Sequence, residues 1–278
     1  MTTQKTIWRT YMNATSKISK LVISLGVCIV MQACKTSPPT VETPTGEDYI
    51  VSEHLTDRIF YKDSSSPIWT SGNVNDPDDE NRFVGSVTRY FGGDYLKVEL
   101  TQLSKSGMDT GIEGGTSLEK ASMLDSNYTV SAKLTIDELV KEGSWWYGPK
   151  ISVGWNDEGH KDGTKGWYEN YIVESGSDTP QELHDLLTGD WYKGELVATT
   201  TQDGSVYKHY LAPFKSWHQF WSVRQDFRNE GSTNIGKIVK VWLENGLPDK
   251  KYDGVKINIE THHPQQMTFT ISDVKFDL

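Results

Sequence analysis

The chain has 278 residues, a formal net charge of −10, two cysteines, ten tryptophans and thirteen tyrosines. That acidity argues against a nucleic-acid partner, which demands a basic face. Two cysteines, one of them inside an apolar run, give neither a disulfide framework nor a cysteine-ligated metal site. The many aromatic rings exceed what a core alone calls for and point to a core plus a surface on which sugars stack.

Taken in chain order, the first segment reads as targeting sequence and is set aside from the fold. Lys5, Arg9, Lys17 and Lys20 make a basic leader, and the apolar run 21–30 is short for a membrane-spanning helix. The run ends in Met31-Gln32-Ala33-Cys34, which resembles the signal of a bacterial lipoprotein. The resemblance implies that 1–33 is a signal peptide and that Cys34 becomes the acylated first residue. It further implies a protein of the cell envelope, at the outer membrane or cell surface. An ordinary cleaved signal is the alternative. Residues 34–47, rich in proline and threonine, read as a tether, and 48–278 is long enough for one good-sized domain.

Strand patterns dominate that domain. Residues 128–136 alternate, with Val130, Ala132, Leu134 and Ile136 on one face. A strand over 150–155 is expected after a turn at Gly148-Pro149. The stretch 194–210 reads as a hairpin turning at Asp203-Gly204, a pair suited to positive φ angles. Trp217, Gln219, Trp221 and Val223 share one face of the next strand. Further on, Val255, Ile257 and Ile259 oppose Lys256, Asn258 and Glu260. In the last strand Met267, Phe269 and Ile271 alternate, then the phase slips to Val274, Phe276 and Leu278, which predicts a bulge. Ile235, Ile238, Val239, Trp242 and Leu243 form an amphipathic helical stripe, capped by Thr233 or Asn234 and stopped by Gly246 and Pro248. A short second helix is expected over 179–187. The class is all-β, a jelly roll of two packed, curved antiparallel sheets with one amphipathic helix.

Two glutamates stand on the outward faces of these strands. Glu169 lies in Trp167-Tyr168-Glu169-Asn170-Tyr171, and Glu260 lies in Ile257-Asn258-Ile259-Glu260-Thr261-His262. A fold that brought them together would make a carboxylate pair in an aromatic-lined groove, the constellation that breaks glycosidic bonds.

Four segments, in order, resemble the family 11 glycoside hydrolases, the jelly-roll xylanases. Residues 167–175 are similar to that family's nucleophile strand and 219–225 to the strand after its thumb. Residues 239–247 are similar to its helix, and 257–260 with 267–271 to its acid/base strand and final strand. The first half of the domain, 47–147, matches much less clearly. The resemblance implies Glu169 as nucleophile and Glu260 as general acid/base of an endo-acting, retaining hydrolase on a β-linked, xylan-like polymer. It places Tyr171 and Gln219 in the substrate groove, with Trp155, Trp167 and Trp217 as stacking rings. Departures are equally plain. Val153 stands where the family has a tyrosine before Gly154-Trp155, 156–166 is an insertion, and 210–216 has no room for the thumb. Thr261-His262-His263 follows Glu260 in place of small and aromatic residues.

These departures keep two further readings open. A polysaccharide lyase on the same scaffold, acting on an ulvan, alginate or glucuronan type of uronic-acid polymer, would draw on Lys208, His209, Tyr210, Arg224 and His262, with Tyr171 and Gln219 beside them. A surface lipoprotein that binds glycans without cleaving them is the other. No cofactor and no catalytic metal are implied. Loops 75–79 and 156–162 carry the oxygen donors that a structural calcium takes. The expected partners are a polysaccharide and, through Cys34, a membrane; a monomer is expected.

Overall fold

The computed structural model describes residues 49–54, 61–62, 68–72 and 85–91, and from 95 to 277 all but 104, 106–107, 116, 142, 155–167 and 215–216. They belong to one compact unit, Pro44–Leu278. The leader, Cys34, the tether and the two loops with calcium-type donors lie outside the described residues.

The strands are, in order, β1 (Tyr49–His54), β2 (Tyr61–Lys62), β3 (Ile68–Gly72), β4 (Gly85–Phe91), β5 (Leu96–Gln102) and β6 (Met108–Gly114). There follow β7 (Thr129–Lys141), β8 (Ser144–Val153), β9 (Tyr168–Val173), β10 (Ser175–Gly176) and helix α1 (Pro180–Thr188). The remainder is β11 (Glu195–Gln202), β12 (Ser205–Phe214), β13 (Trp217–Arg224), β14 (Glu230–Asn234), helix α2 (Ile235–Glu244), β15 (Tyr252–His262) and β16 (Gln265–Asp277). One sheet runs β1-β4-β5-β16-β7-β14; the other runs β11-β12-β13-β9-β8-β15-β6-β3-β2, with β10 paired to β8. Described pairings are antiparallel except β13 with β9, which run parallel. This is the all-β jelly roll expected, and the short second helix expected over 179–187 is α1.

Alternation builds the sandwich. Leu96, Val98 and Leu100 of β5 and Met267, Phe269 and Ile271 of β16 share one core with Ile151 and Val153 of β8 and Ile257 and Ile259 of β15. Helix α2 adds Ile235, Ile238, Val239 and Trp242 to that core. Its start is fixed by Asn234, whose side chain accepts from the Lys237 amide at 2.8 Å, and its end by Gly246 at φ 105°. A smaller cluster covers the other, outer face of the second sheet. There Leu183 and Leu187 of α1 pack with Tyr210, Ala212, Trp221 and Val223. Helix α1 begins in a capping box between Thr179 and Glu182.

Local signals are met closely in most places. The hairpin turns at Asp203 (φ 50°) and Gly204 (φ 83°). The phase slip in β16 is a register shift against β7 between Ser272 and Lys275, with Asp273 at φ 55°. Gly148-Pro149 is a correction, since both lie inside β8 and make no turn. Proline is tolerated in this central strand because the partner on that side is broken between β9 and β10, where Glu174 donates its amide to the Tyr147 carbonyl at 2.9 Å. Gly148 is required there, since a Cβ would lie 2.0 Å from the Ile172 carbonyl oxygen.

Candidate active site

The outer face of the second sheet gathers side chains from four adjacent strands. Strand β9 contributes Glu169 and Tyr171; β8 contributes Trp146, Lys150 and Ser152. Strand β15 contributes Asn258, Glu260 and His262, and β6 contributes Asp109. The registers set these residues side by side. Ser152 is opposite Glu169 and Lys150 opposite Tyr171, while Glu260 is flanked by Trp146 on one side and Asp109 on the other. Asn170, pointing inward, locks β9 in place: its carbonyl accepts from the Phe220 amide at 3.1 Å and its amide donates to the Ile151 carbonyl at 3.2 Å.

Lys150 is the centre of this face. Only 4% of its side chain is exposed, and its ammonium contacts Asp109, Glu169 and, at 3.6 Å, Glu260. It also lies 4.9 Å from the centre of the Tyr171 ring. Glu169 and Glu260 thus both reach the same ammonium, from the strands on either side of β8. Asp109 is further held by the side-chain amide of Asn258. Gly111 permits that approach, because a Cβ there would lie 2.1 Å from the Ile257 carbonyl oxygen and 2.8 Å from the Asn258 Cβ.

Of the three carboxyls around Lys150, Asp109 is buried and Glu169 and Glu260 are partly buried; a second lysine, Lys256, stands opposite Lys150 on β15. Burial pushes Asp109 up, Lys150 opposes, and the charges of Glu260 and Glu169 add, leaving it at about 7. Burial also raises Glu260, but Lys150, His262 and Tyr171 hold it down to about 2. His262 reaches Glu260 with Nε2 at 2.9 Å and stacks on Trp146 at 4.5 Å between ring centres. Lys150 itself stays protonated, its burial overcome by the three carboxylates. Tyr171 and Tyr192 are pushed up by burial and by the glutamates and remain hydroxyls. Tyr171 stacks on Trp221 at 4.2 Å, and Tyr192 meets the same indole edge-on at 5.9 Å.

The expected residues thus divide. Glu169, Glu260, Tyr171 and His262 come together. Gln219 is buried on the same face, accepting from the Trp221 indole at 3.1 Å. Trp155 and Trp167 lie outside the described residues, as does the side chain of Trp217. The lyase set is not assembled, which corrects that expectation. His209 has no exposed surface and faces the core, bonded to Thr200 and to Ser222 at 2.7 Å each. Arg224 is also on the inner face, in contact with Glu174 and Tyr207. Tyr210 is buried against α1 with its hydroxyl 3.0 Å from His184 Nδ1. Lys208 lies opposite Val223, on a strand three away from β8. The reason is parity: β12 turns 207, 209 and 211 inward, so an imidazole beside a tyrosine in sequence lands on the other side of the sheet.

Sequence reasoning missed Lys150, Asp109, Trp146 and Tyr192. Lys150 was hidden by the apparent Gly-Pro turn. Read through it, Tyr147, Ile151 and Val153 alternate and set Lys150 on the face of Trp146. The same parity turns Val153 into the core, so the residue opposite Glu169 is Ser152 and no tyrosine position on this face is vacated.

No family model matches the chain. Among curated proteins it is similar to ethylene-inducing xylanase 1 of Verticillium dahliae, 30% identical over 157 residues, covering 44% of this chain and 70% of that protein. It is also 30% identical over 118 residues to endo-1,4-beta-xylanase B of Gibberella zeae, spanning 38% of this chain and half of that one. Among solved structures, the family 11 xylanase from Neocallimastix patriciarum superposes with a TM-score of 0.55 at 17% identity, over 83% of this chain and 100% of that one. A cellulase derived from Cel12A of Rhodothermus marinus superposes equally well, TM-score 0.55 at 13% identity, over 83% of this chain. At such identities the structures speak for a shared fold only.

Proposed function

Because the chain belongs to the family 11 glycoside hydrolases, as a divergent member, we propose that it is an endo-acting, retaining hydrolase of a β-linked, xylan-like polysaccharide. The observation that carries this reading is the convergence of Glu169 and Glu260 on one ammonium, which sets two carboxyls on either side of a single point. Glu169 attacks the anomeric carbon as that carbon's bond to the leaving oxygen breaks, and Glu260 gives that oxygen a proton. Water, deprotonated by Glu260, then releases the sugar from Glu169, and the configuration is retained overall. Tyr171 and the partners of Glu260 line the groove in which the sugar ring sits.

Glu260 has to carry a proton in the first step. In the free protein burial raises Asp109, the residue directly across from Glu260 on the neighbouring strand, to about 7, while Glu260 is held at about 2. Substrate entry therefore has to raise Glu260 before it can donate.

The test is product analysis on xylan, on a neutral glucan and on uronic-acid polymers. Reducing ends should appear from xylan, with the β-configuration in the first product seen by NMR and no unsaturated uronate. Glu169→Gln should abolish turnover, and Glu260→Gln should lower it by roughly 10²–10⁴-fold. Unsaturated products, or full activity in Glu169→Gln, would refute the reading. The lipid anchor at Cys34 and a place in the cell envelope are part of the same proposal, resting on the Met31-Gln32-Ala33-Cys34 pattern.

A further inference from the structure

We propose that Lys150 is a positioning residue of the hydrolytic site: its ammonium fixes Glu169 for attack and favours its ionised form. This rests on the hydrolase reading and adds to it a residue outside the carboxylate pair.

The geometry is unusual for a lysine. Its stem rises from the centre of β8, between β9 and β15, and its head contacts a carboxyl from each of three other strands. A buried ammonium is retained only where opposite charges compensate its lost hydration. Here three carboxyls surround the ammonium, while a second lysine, Lys256, stands opposite Lys150 on β15 and His262 is bonded to Glu260. Glu169 is touched by Lys150 directly. Without that ammonium it loses the cation that favours its ionised form, and a protonated carboxyl does not attack an anomeric carbon.

The ammonium also constrains position. Glu169 projects from β9 across the edge of β8, and its Oε1 is fixed by Lys150. Ser152 stands opposite Glu169 in the register but is too short a side chain to replace that charge. Tyr171 faces Lys150 from the other side, so the ammonium is confined between a ring and three carboxyls and holds one orientation.

The experiment measures the pH dependence of kcat/KM for the full-length protein, for Lys150→Met and for Lys150→Arg. The acidic limb reports the nucleophile in the free enzyme. Loss of a cation in contact with a carboxylate shifts it by roughly one to three pH units, so the limb in Lys150→Met should move up by about one unit or more. In Lys150→Arg the limb should stay near the wild-type position while kcat falls, since the charge is kept and the fit is not. A folded Lys150→Met protein with the wild-type limb would overturn the proposal. Should Lys150→Met not fold, the double variant Lys150→Met with Asp109→Asn, which removes both members of the buried contact, serves the same purpose: Glu169 still loses its cation, so the limb must still rise, and an unmoved limb again refutes the assignment.

The two readings fail separately. If the wild type hydrolyses xylan and the limb does not respond to Lys150, the hydrolase stands and the positioning role falls. If the wild type cleaves no glycan, the hydrolase reading falls, and a carboxyl ¹³C NMR titration decides the rest. The Glu169 carboxyl should titrate at higher pH in Lys150→Met than in the wild type; an unmoved titration would overturn the role of the ammonium.

Discussion

At the scale of single residues, His209 shows how a chemically capable side chain is used for structure alone. Its imidazole sits between Thr200 and Ser222, and Ser222 also receives the Trp242 indole proton at 2.9 Å. The ring therefore ties β11, β12, β13 and α2 together below the sheet. Burial lowers its pKa to about 4. A group whose folded pKa lies below its unfolded value of about 6.5 leaves the folded state neutral while the unfolded chain takes up a proton. Its stabilising contribution is therefore full above pH 6.5 and is lost as pH falls toward 4. His209→Ala should retain the wild-type rate per folded molecule, since the ring does not reach the site face. Its cost in stability at pH 7 should be about 1–3 kcal/mol from the polar partners left unpaired. Relative to this variant, the wild type should lose stability as pH drops from 6.5 to 4. Urea denaturation across that range, with initial rates on xylan, checks both; loss of activity in folded His209→Ala would reopen the elimination chemistry.

At the scale of elements, the junction of β9 with its neighbours is held by a second buried carboxylate, Glu174, on the face opposite the site. It accepts from Tyr207 at 2.7 Å, from Thr233 at 2.6 Å and from Arg228 at 2.8 Å, so β12, β14 and the segment after β13 all converge on the end of β9. Breaking a buried pair by removing one partner leaves the other charge uncompensated, at about 3–5 kcal/mol. Glu174→Ala should lose that much stability, and Glu174→Gln, which keeps an acceptor but no charge, clearly less; both are read from the urea midpoint. A loss below 1 kcal/mol in Glu174→Ala would mean that this network does not hold the junction.

This same level decides what could be read from the sequence. Helix α2, the Asp203-Gly204 hairpin and the bulge at Asp273 depend on neighbours within a few residues, and their signals are local. So is the outward parity of Glu169 and Glu260 on their own strands. Asp109 and Lys150 are different. Asp109 meets Asn258 across 149 positions of chain and Lys150 across 41, and only the strand order makes them neighbours. The lyase set misled for the converse reason: residues adjacent in sequence alternate in face, so Lys208, His209 and Tyr210 could never have acted together from one strand.

At the scale of the whole molecule, the two ends of the domain carry very different weight. Among the described strands, β1 pairs with β4 alone, at the edge of its sheet, whereas β16 lies between β5 and β7. It buries Met267, Phe269 and Ile271 completely or nearly so. Burying three such side chains is worth about 1.5–3 kcal/mol each, so together they rival the 5–15 kcal/mol by which a domain is stable at all. Removing β16 would also leave two strand edges unpaired through the middle of the sheet. A protein ending at residue 264 should therefore show no cooperative unfolding. Removing 1–47 takes away none of these contacts, and the remaining 48–278 should unfold cooperatively and hydrolyse xylan as the full chain does. The same pair of proteins tests the anchor: after expression with lipoprotein processing, the full chain should partition into detergent and 48–278 should remain in the aqueous phase. A cooperative transition without β16 would show that the sandwich core is not shared as the topology implies, and aqueous partition of the full chain would remove the lipid from Cys34.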